Sequence, residues 1–171
     1  MDTLVAIAAR RSIRRYKPER VMDDDLKKIL EAGRQAPSAG NRQPWHFVVV
    51  RDPETKRKVA EACSNQTWMA LADVIIAAVG LPDVSEKWYA IDTAIALQNM
   101  ILAATSLGYG TCWIGAFDET KVKELLGVPE GARVIALTPI GVPAEEPPPR
   151  PRKDPKEIFS LDKFGSPLPL F

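Results

Sequence analysis

KWYAIDTAIALQNMILAATSL, residues 87–107, is the part of this sequence that most constrains its architecture. The segment has the length of a long helix, and apolar residues such as Ile91, Leu97 and Ile101 are spread around most of its circumference. A helix that is apolar nearly all round has to be buried on more than one side. In a chain of 171 residues this predicts a helix covered by the protein's own sheet and also by a second copy, and therefore a homodimer.

Apolar runs around this helix predict strands, and capping residues predict further helices. The strands are expected at 45–51 (WHFVVVR), 74–80 (VIIAAVG), 111–117 (TCWIGAF) and 133–142 (RVIALTPIGV), the first two of them buried. The helices are expected to begin at Asp2 or Thr3, after the aspartates at 23–25, at Asp52 and at Asp118. This mixture of helices and strands leaves the α/β and α+β classes both open.

The composition excludes several classes of protein. The 23 basic and 22 acidic residues nearly cancel, so the chain has no general attraction to nucleic acid or to an anionic membrane. Cys63, Cys112 and the single histidine, His46, lack the spacing of metal ligands, so we expect no metal site and interpret His46 as a packed strand residue. The sequence has no signal-peptide pattern and no apolar run of about 20 residues, which predicts a cytoplasmic protein.

A basic segment, RRSIRRYK, occupies residues 10–17. If the first helix continues through it, Arg10 and Arg14 share one helix face. An arginine pair together with the Ser12 hydroxyl can hold a phosphate through charge-assisted hydrogen bonds. The alternatives are a solvated cationic face and a nucleic-acid-binding arm, and the second is weakened by the lack of interleaved aromatic residues.

The loop PSAGNRQPW at 37–45 combines small residues, amides and two prolines. Ser38, Ala39 and Gly40 allow a planar ligand to approach the backbone, and the Asn41 side chain offers both a donor and an acceptor. An ordinary surface turn can have the same composition. The apolar strand that follows directly favours the ligand-binding interpretation.

The composition changes after Val142, because seven prolines lie between positions 139 and 155. Such a segment is stiff and extended, and it forms few internal hydrogen bonds. One interpretation is a disordered tail or a ligand for a proline-binding module. The other is an ordered arm over residues 143–171 that places Arg150 and Arg152 at a site.

Motifs that carry chemistry without a cofactor are missing from the sequence. Gly108 and Gly110 form a G-x-G pattern, but the third glycine of a Rossmann fingerprint is absent and the pattern leads into a strand. The sequence has no nucleophile elbow, no cysteine with a partner histidine and no pair of carboxylates suited to acid–base work. An enzyme with this sequence would therefore depend on a bound cofactor.

Four segments together resemble the FMN-dependent nitroreductase family, namely RRSIRRY at 10–16, PSAGNRQPWHF at 37–47, GYGTCWIGAF at 108–117 and RPRK at 150–153. Their order and spacing match from Arg10 to about Lys153, and the short chain resembles the compact members of that family. The resemblance implies a single α+β domain spanning 1–171, in which a mixed, mainly antiparallel sheet lies between helices in a three-layer sandwich. It also implies an intertwined homodimer with FMN at the interface.

The resemblance also implies roles for individual residues. Those expected to bind FMN are Arg10, Arg11, Ser12, Arg14, Pro37, Ser38, Ala39, Asn41, Gln66, Trp113, Ile114, Gly115, Ala116, Arg150 and Arg152. The loop at 37–41 would reach the isoalloxazine from the partner chain, and the arginines at 150 and 152 would close on the phosphate. Arg14 and Gly115 are the catalytic candidates. The Arg14 guanidinium would stabilise negative charge at the pyrimidine edge of the reduced ring, and the Gly115 N–H would face flavin N5.

The activity implied by the resemblance is hydride transfer from NADH or NADPH, through flavin N5, to nitroaromatics, quinones or related small acceptors with ping-pong kinetics. Flavin fragmentation with oxygen and reductive dehalogenation are alternatives within the same resemblance. A non-enzymatic flavin carrier or an interaction module is an alternative of a different class.

Overall fold

The computed structural model describes residues 2–170. Its helices are α1 (Thr3–Ala9), α2 (Asp23–Arg34), α3 (Pro53–Ala62), α4 (Tyr89–Ser106), α5 (Glu119–Leu126) and α6 (Pro155–Ile158), and its strands are β1 (Trp45–Val50), β2 (Val74–Gly80), β3 (Gly110–Thr111) and β4 (Arg133–Gly141). The predicted caps at Asp2, Asp52 and Asp118 are confirmed, because each side chain accepts a hydrogen bond from the first turn of its helix.

The four strands form one sheet in the order β1-β2-β4-β3, and each neighbouring pair is antiparallel. Strand β2 is central and every one of its residues is buried, as the unbroken apolar run predicts. Successive side chains of a strand point to opposite faces, so Ile75 and Ile76 belong to two separate cores.

Helices cover both faces of the sheet. Leu26 of α2 and Leu97 of α4 pack on the face that carries Ile76, whereas Val59 of α3 and Val122 of α5 pack on the other face. The predicted α+β three-layer sandwich is therefore confirmed. Parallel pairing is limited, within residues 2–170, to a single bridge between positions 12 and 111.

Two sequence predictions about strands need correction. Strand β1 is predicted to be buried, but among residues 2–170 it has a neighbouring strand on one side only and so lies at the edge of the sheet. Val50 is the one residue of this strand that is fully buried. His46 is exposed on this strand instead of being packed. The strand predicted at 111–117 is only two residues long, because the chain then leaves the sheet and touches it again through one bridge from Ile114 to Leu137.

The long helix α4 is buried where it faces the sheet and where it packs against α2. Leu97, Met100 and Ile101 lie in the core against β2 and β4. Ile91 is 52% exposed and Ile95 is 37% exposed, so residues 2–170 leave a strip of apolar helix surface uncovered. The second copy that we predict to cover this strip stays a prediction. None of the helices described, α4 included, is both long and apolar enough to cross a bilayer.

Candidate functional site

The basic segment after α1 is extended and does not continue the helix. Arg10 leaves helical geometry with φ −53° and ψ 130°. The Ile13 N–H then donates to the Thr111 carbonyl oxygen at 2.8 Å, so the segment lies along the edge of the sheet beside β3. The helical alternative, in which Arg10 and Arg14 would share one face, is therefore excluded, because this backbone bonds to a distant strand and not to the preceding turn.

Close packing holds the basic segment against the sheet. Ile13 and Tyr16 are buried with Ala72 in a small apolar cluster. A Cβ placed on Gly110 would stand 2.8 Å from the Ile13 side chain, so a glycine at this position allows the two segments to lie so close. The Tyr16 hydroxyl donates to the Ile13 carbonyl oxygen at 2.7 Å, and burial raises the pKa of Tyr16 far above its ordinary value. This phenol therefore stays protonated and serves the packing.

Segments from the two ends of the sequence line one cavity of about 400 Å³ beside the basic segment, which we call the basic cavity. The chain returns to it after β4, where the Ala144 N–H donates to the Arg15 carbonyl oxygen at 2.9 Å. The polar lining consists of Arg10, Arg11, Ser12, Arg14, Glu145, Arg150 and Arg152. Of the two interpretations of the proline-rich segment, this arrangement favours the ordered arm.

Five guanidinium groups and one carboxylate make the described lining strongly cationic. Arg11 is partly committed to the end of α1, because its Nη1 donates to the carbonyl oxygens of Ala8 and Arg10 at 2.7 and 2.8 Å. Arg14 is exposed, and its guanidinium carbon lies 5.8 Å from the centre of the Trp68 ring in a cation–π contact. Such a set of donors suits an oxygen-rich anion such as a phosphate group.

A buried thiol neighbours the basic cavity. Cys112 is 2% exposed, and burial raises the pKa of its thiol although Arg14, the Ser12 hydroxyl and Arg10 act in the opposite direction. The thiol is therefore protonated at neutral pH, and it is unsuited to act as a nucleophile.

Two residues beside the basic cavity were not found by sequence reasoning. The Glu145 carboxylate accepts hydrogen bonds from the backbone N–H groups of Arg14 at 2.6 Å and Arg15 at 3.1 Å. The Trp68 ring supports the Arg14 guanidinium. Gln66, the predicted ligand nearest to this ring in sequence, is half-buried and does not line the cavity. In the sequence, Glu145 is visible only as part of an acidic pair beside the prolines, and Trp68 only as the aromatic residue of SNQTW.

The segment expected to pass the flavin ring leaves β3 towards solvent. Trp113, Gly115 and Ala116 are exposed, while Ile114 between them is buried. A Cβ built on Gly115 would meet the Trp113 indole nitrogen at 4.0 Å and no closer atom of residues 2–170. The backbone at Gly115 is therefore open to a ligand, although these four residues do not line the basic cavity.

The loop before β1, which we call loop 37–43, has an uncommon backbone conformation. Gly40, Asn41 and Gln43 have φ angles of 58°, 54° and 52°, in the left-handed region that favours glycine. The Ser38 hydroxyl accepts a hydrogen bond from the Gln43 N–H at 2.9 Å and closes the loop on itself. Pro37 and Asn41 are exposed, so the outer side of the loop is available to another molecule.

The first turn of α4 anchors loop 37–43. The Ala39 N–H donates to the carboxylate of Asp92 at 3.1 Å, and Asp92 is only 4% exposed. At the other end, the Thr93 hydroxyl donates to the Pro44 carbonyl oxygen at 3.3 Å. Because α4 is fixed in the core, the loop conformation is set by the fold of the chain itself.

Loop 37–43 and the basic cavity lie at opposite corners of the sheet. The loop leads into Trp45, which pairs with Gly80, and Gly80 pairs with Arg133 at the start of β4. The basic segment lies against β3, which pairs with Gly141 at the far end of β4. At about 3.4 Å per residue along β4 and 4.8 Å between strands, the two corners are roughly 30 Å apart. One small ligand cannot touch both corners of the same chain.

The chain matches known proteins over nearly its whole length. A profile described as the nitroreductase family matches residues 7–73 and 64–142. A protein of Archaeoglobus fulgidus, named as a candidate NADH dehydrogenase or NAD(P)H nitroreductase, is 39% identical over 173 residues that cover 97% of this chain and 94% of the relative.

Two solved structures show the same architecture. A nitroreductase family protein from Clostridium novyi superposes with a TM-score of 0.80 at 38% identity, covering 99% of this chain and 98% of the other. The NADPH:FMN oxidoreductase of Vibrio harveyi, solved in complex with NAD+, superposes with a TM-score of 0.88 at 27% identity and covers 95% and 77% of the two chains. Both alignments therefore extend over nearly the whole of this chain.

Proposed function

The chain belongs to the nitroreductase family, and from this membership we propose that it is an FMN-dependent NAD(P)H oxidoreductase acting on nitroaromatics, quinones or related small acceptors. The observation that carries the proposal is the convergence of Arg10, Arg14, Arg150 and Arg152 with Ser12 on the basic cavity. The Vibrio harveyi neighbour, named for NADPH and FMN, supports the same cofactor and donor. A single domain over residues 1–171 is part of the proposal, and a cytoplasmic location stays a prediction.

The donors of the basic cavity fit the phosphate and ribityl end of FMN. Guanidinium groups bind phosphate oxygens through paired, charge-assisted hydrogen bonds, and a hydroxyl adds a further donor. A volume of about 400 Å³ lies in the range of small-molecule pockets. We assign Arg10, Ser12, Arg150 and Arg152 to this end, together with the guanidinium nitrogen atoms of Arg11 that do not cap α1.

The second half of the site is proposed to come from a second copy of the chain. Loop 37–43 lies too far from the basic cavity of its own chain to reach the same FMN, so its Pro37, Ser38, Ala39 and Asn41 would contact the flavin across a dimer interface. The uncovered apolar strip of α4 begins in the helix turn that holds this loop. A twofold homodimer would bury that strip and produce two identical sites, each built from both chains.

When bound, FMN supplies hydride chemistry at its N5 atom, with NADH or NADPH as the donor. Arg14 is assigned to the pyrimidine edge, where a fixed guanidinium stabilises negative charge as it develops. The open backbone N–H of Gly115 is assigned as a hydrogen-bond donor to the reacting nitrogen. Trp113 and Ala116 are proposed to cover this side of the ring and exclude water from it, and Ile114, which is buried and bridged to Leu137, is proposed to hold the segment in place.

Donor and acceptor are proposed to use one open face in turn. The sequence has no Rossmann fingerprint that would hold the dinucleotide at a separate place. Ping-pong kinetics follow from this sharing, and initial rates at several acceptor concentrations should give parallel double-reciprocal lines. Intersecting lines would show that both substrates bind together and would contradict this part of the proposal.

The proposed function is tested most directly by the colour and redox behaviour of the purified protein. We expect a yellow dimer whose visible absorption bleaches anaerobically with NADH or NADPH and returns when a quinone or nitroaromatic is added. The variant with Arg150→Ala and Arg152→Ala should fold normally and lose bound FMN. A colourless wild-type protein that ignores added FMN would contradict the proposal and favour an interaction module.

A further inference from the structure

Glu145 brings a negative charge into the basic cavity, and none of the roles assigned above uses it. Its Oε1 accepts hydrogen bonds from two successive backbone N–H groups, those of Arg14 at 2.6 Å and Arg15 at 3.1 Å. We infer that Glu145 is a positioning residue, which fixes the backbone from which the Arg14 guanidinium extends and moderates the positive potential of the cavity. The inference rests on the proposed function, because Arg14 is the residue that it positions.

The sheet does not provide these hydrogen bonds. Ile13 is paired with Thr111, and the Arg15 carbonyl oxygen accepts from Ala144, but the N–H groups of Arg14 and Arg15 bond to the Glu145 carboxylate. The pairing of Ala144 places the next residue directly over these two N–H groups. The carboxylate is therefore delivered by backbone that is already fixed.

The charge of Glu145 also matters for the basic cavity. A carboxylate repels a phosphate group, so Glu145 cannot be a phosphate ligand in its ionised form. It lines the same cavity as five guanidinium groups and lowers the positive potential that they create. Removing the charge while keeping both hydrogen bonds should therefore make the environment of the flavin more positive.

Two substitutions separate the hydrogen bonds from the charge. Glu145→Gln keeps an oxygen that can accept from both N–H groups but removes the charge, whereas Glu145→Ala removes both. Glu146→Gln is the matched control, because Glu146 is the next residue, is exposed and does not line the basic cavity. The measurements are FMN affinity, the midpoint potential of bound FMN, and amide hydrogen exchange of the peptide around Arg14 and Arg15 in flavin-free protein.

We expect Glu145→Ala to accelerate exchange at the two amides by about tenfold, because both lose their acceptor. FMN binding should weaken by a smaller factor, because loss of the negative charge partly offsets the loss of the fixed Arg14 backbone. Glu145→Gln should keep FMN affinity within about threefold, since both hydrogen bonds are retained, and should shift the midpoint potential to more positive values. Glu146→Gln should change none of these quantities.

The outcomes separate this inference from the proposed function. If wild-type protein binds no FMN, the proposed function is wrong, while amide exchange in the Glu145 variants still decides whether the carboxylate fixes this backbone. Unchanged exchange in Glu145→Ala overturns the positioning role, and an unchanged potential in Glu145→Gln overturns the electrostatic role. If Glu145→Ala does not fold, the potential of Glu145→Gln tests the electrostatic role. Amide exchange of wild-type protein then tests the positioning role, because Arg14 and Arg15 amides that exchange as fast as those of an unstructured peptide would overturn it.

Discussion

The basic cavity and loop 37–43 are constructed in opposite ways. The cavity is lined by side chains from two distant parts of the sequence, and none of them is buried. The loop is one continuous segment whose backbone is fixed by the buried carboxylate of Asp92. Charge in the cavity therefore provides attraction for an anion, whereas the loop provides a preformed surface. Substitutions in the cavity should change binding with little effect on stability, and substitutions at the base of the loop should change stability.

The largest effect is expected for Arg14→Ala. Loss of a fixed positive charge at the flavin should lower kcat/KM by about 10²-fold, which corresponds to roughly 3 kcal/mol of transition-state stabilisation. The free energy of unfolding should hardly change, because the Arg14 side chain is exposed. Stopped-flow reduction by NADH and NADPH, together with FMN titration, measures the effect.

Arg15→Ala is the control for this experiment. Arg15 is the next residue and is also exposed, but it does not line the basic cavity. Its removal should leave flavin reduction and FMN affinity close to wild type. Equal effects of the two substitutions would mean that only the general basicity of the segment matters, and unchanged rates and affinity in Arg14→Ala would remove Arg14 from its assigned role.

At loop 37–43, Asp92→Ala should destabilise the fold. It leaves the Ala39 N–H without its carboxylate acceptor in a partly buried setting, which costs about 1–3 kcal/mol. Urea unfolding should show the loss as a lower midpoint with an unchanged slope. Asp83→Ala, at an exposed aspartate, is the control. An Asp92→Ala protein as stable as wild type would show that the helix does not hold the loop.

A pair of glycine substitutions compares the loop with the open backbone after β3. Gly40→Ala places a Cβ at φ 58° and 2.8 Å from the Arg42 guanidinium, and should cost about 1 kcal/mol. A Cβ on Gly115 meets open space, so Gly115→Ala should change the free energy of unfolding by less than about 0.5 kcal/mol. It should still slow flavin reduction, because the added methyl group occupies space beside the backbone that is proposed to face the flavin. Thermal unfolding and stopped-flow reduction measure the two effects, and equal destabilisation by both variants would contradict the comparison.

The smallest effect concerns pH and the helix that leads into the loop. In the last turn of α2, hydrogen bonds from Arg34 and Gln35 lower the pKa of Glu31 from 4.5 to about 2. A lowered pKa means that this contribution to stability is complete above pH 4.5 and is lost as the pH falls towards 2. The difference in Tm between wild type and Glu31→Gln should therefore shrink over this window. A constant difference would show that the carboxylate charge does not stabilise the helix end.

Local sequence patterns predicted most helices and strands of this fold. Contacts between residues that are distant in the sequence determined the features that those patterns did not predict. The caps at Asp52 and Asp118 and the buried run of β2 depend on neighbouring residues, so they were visible in the sequence. The sequence left open whether the basic segment continues α1, and its backbone bonds instead to Thr111, a partner that no local pattern identifies.

The same limit applies to the edge strand and the site. Strand β1 has the composition of a buried strand, and only the order of the sheet places it at an edge. Family resemblance identified the arginines of the basic cavity but not Glu145, because an acidic pair beside prolines does not reveal which N–H groups it will meet. The 30 Å separation of the two corners likewise follows from strand order and not from spacing in the sequence.

The composition of the basic cavity has a consequence for protein synthesis. Arg10 leaves the ribosome long before Arg152, by a delay on the order of ten seconds at ordinary translation rates. The sheet ends at Gly141 and contains no residue of the arm, so a chain that terminates between Gly141 and Arg150 has every strand but neither arm arginine. A prematurely terminated chain can therefore form the sheet and still lack Arg150 and Arg152 of the anion site. Cofactor loading would then distinguish finished molecules from truncated ones.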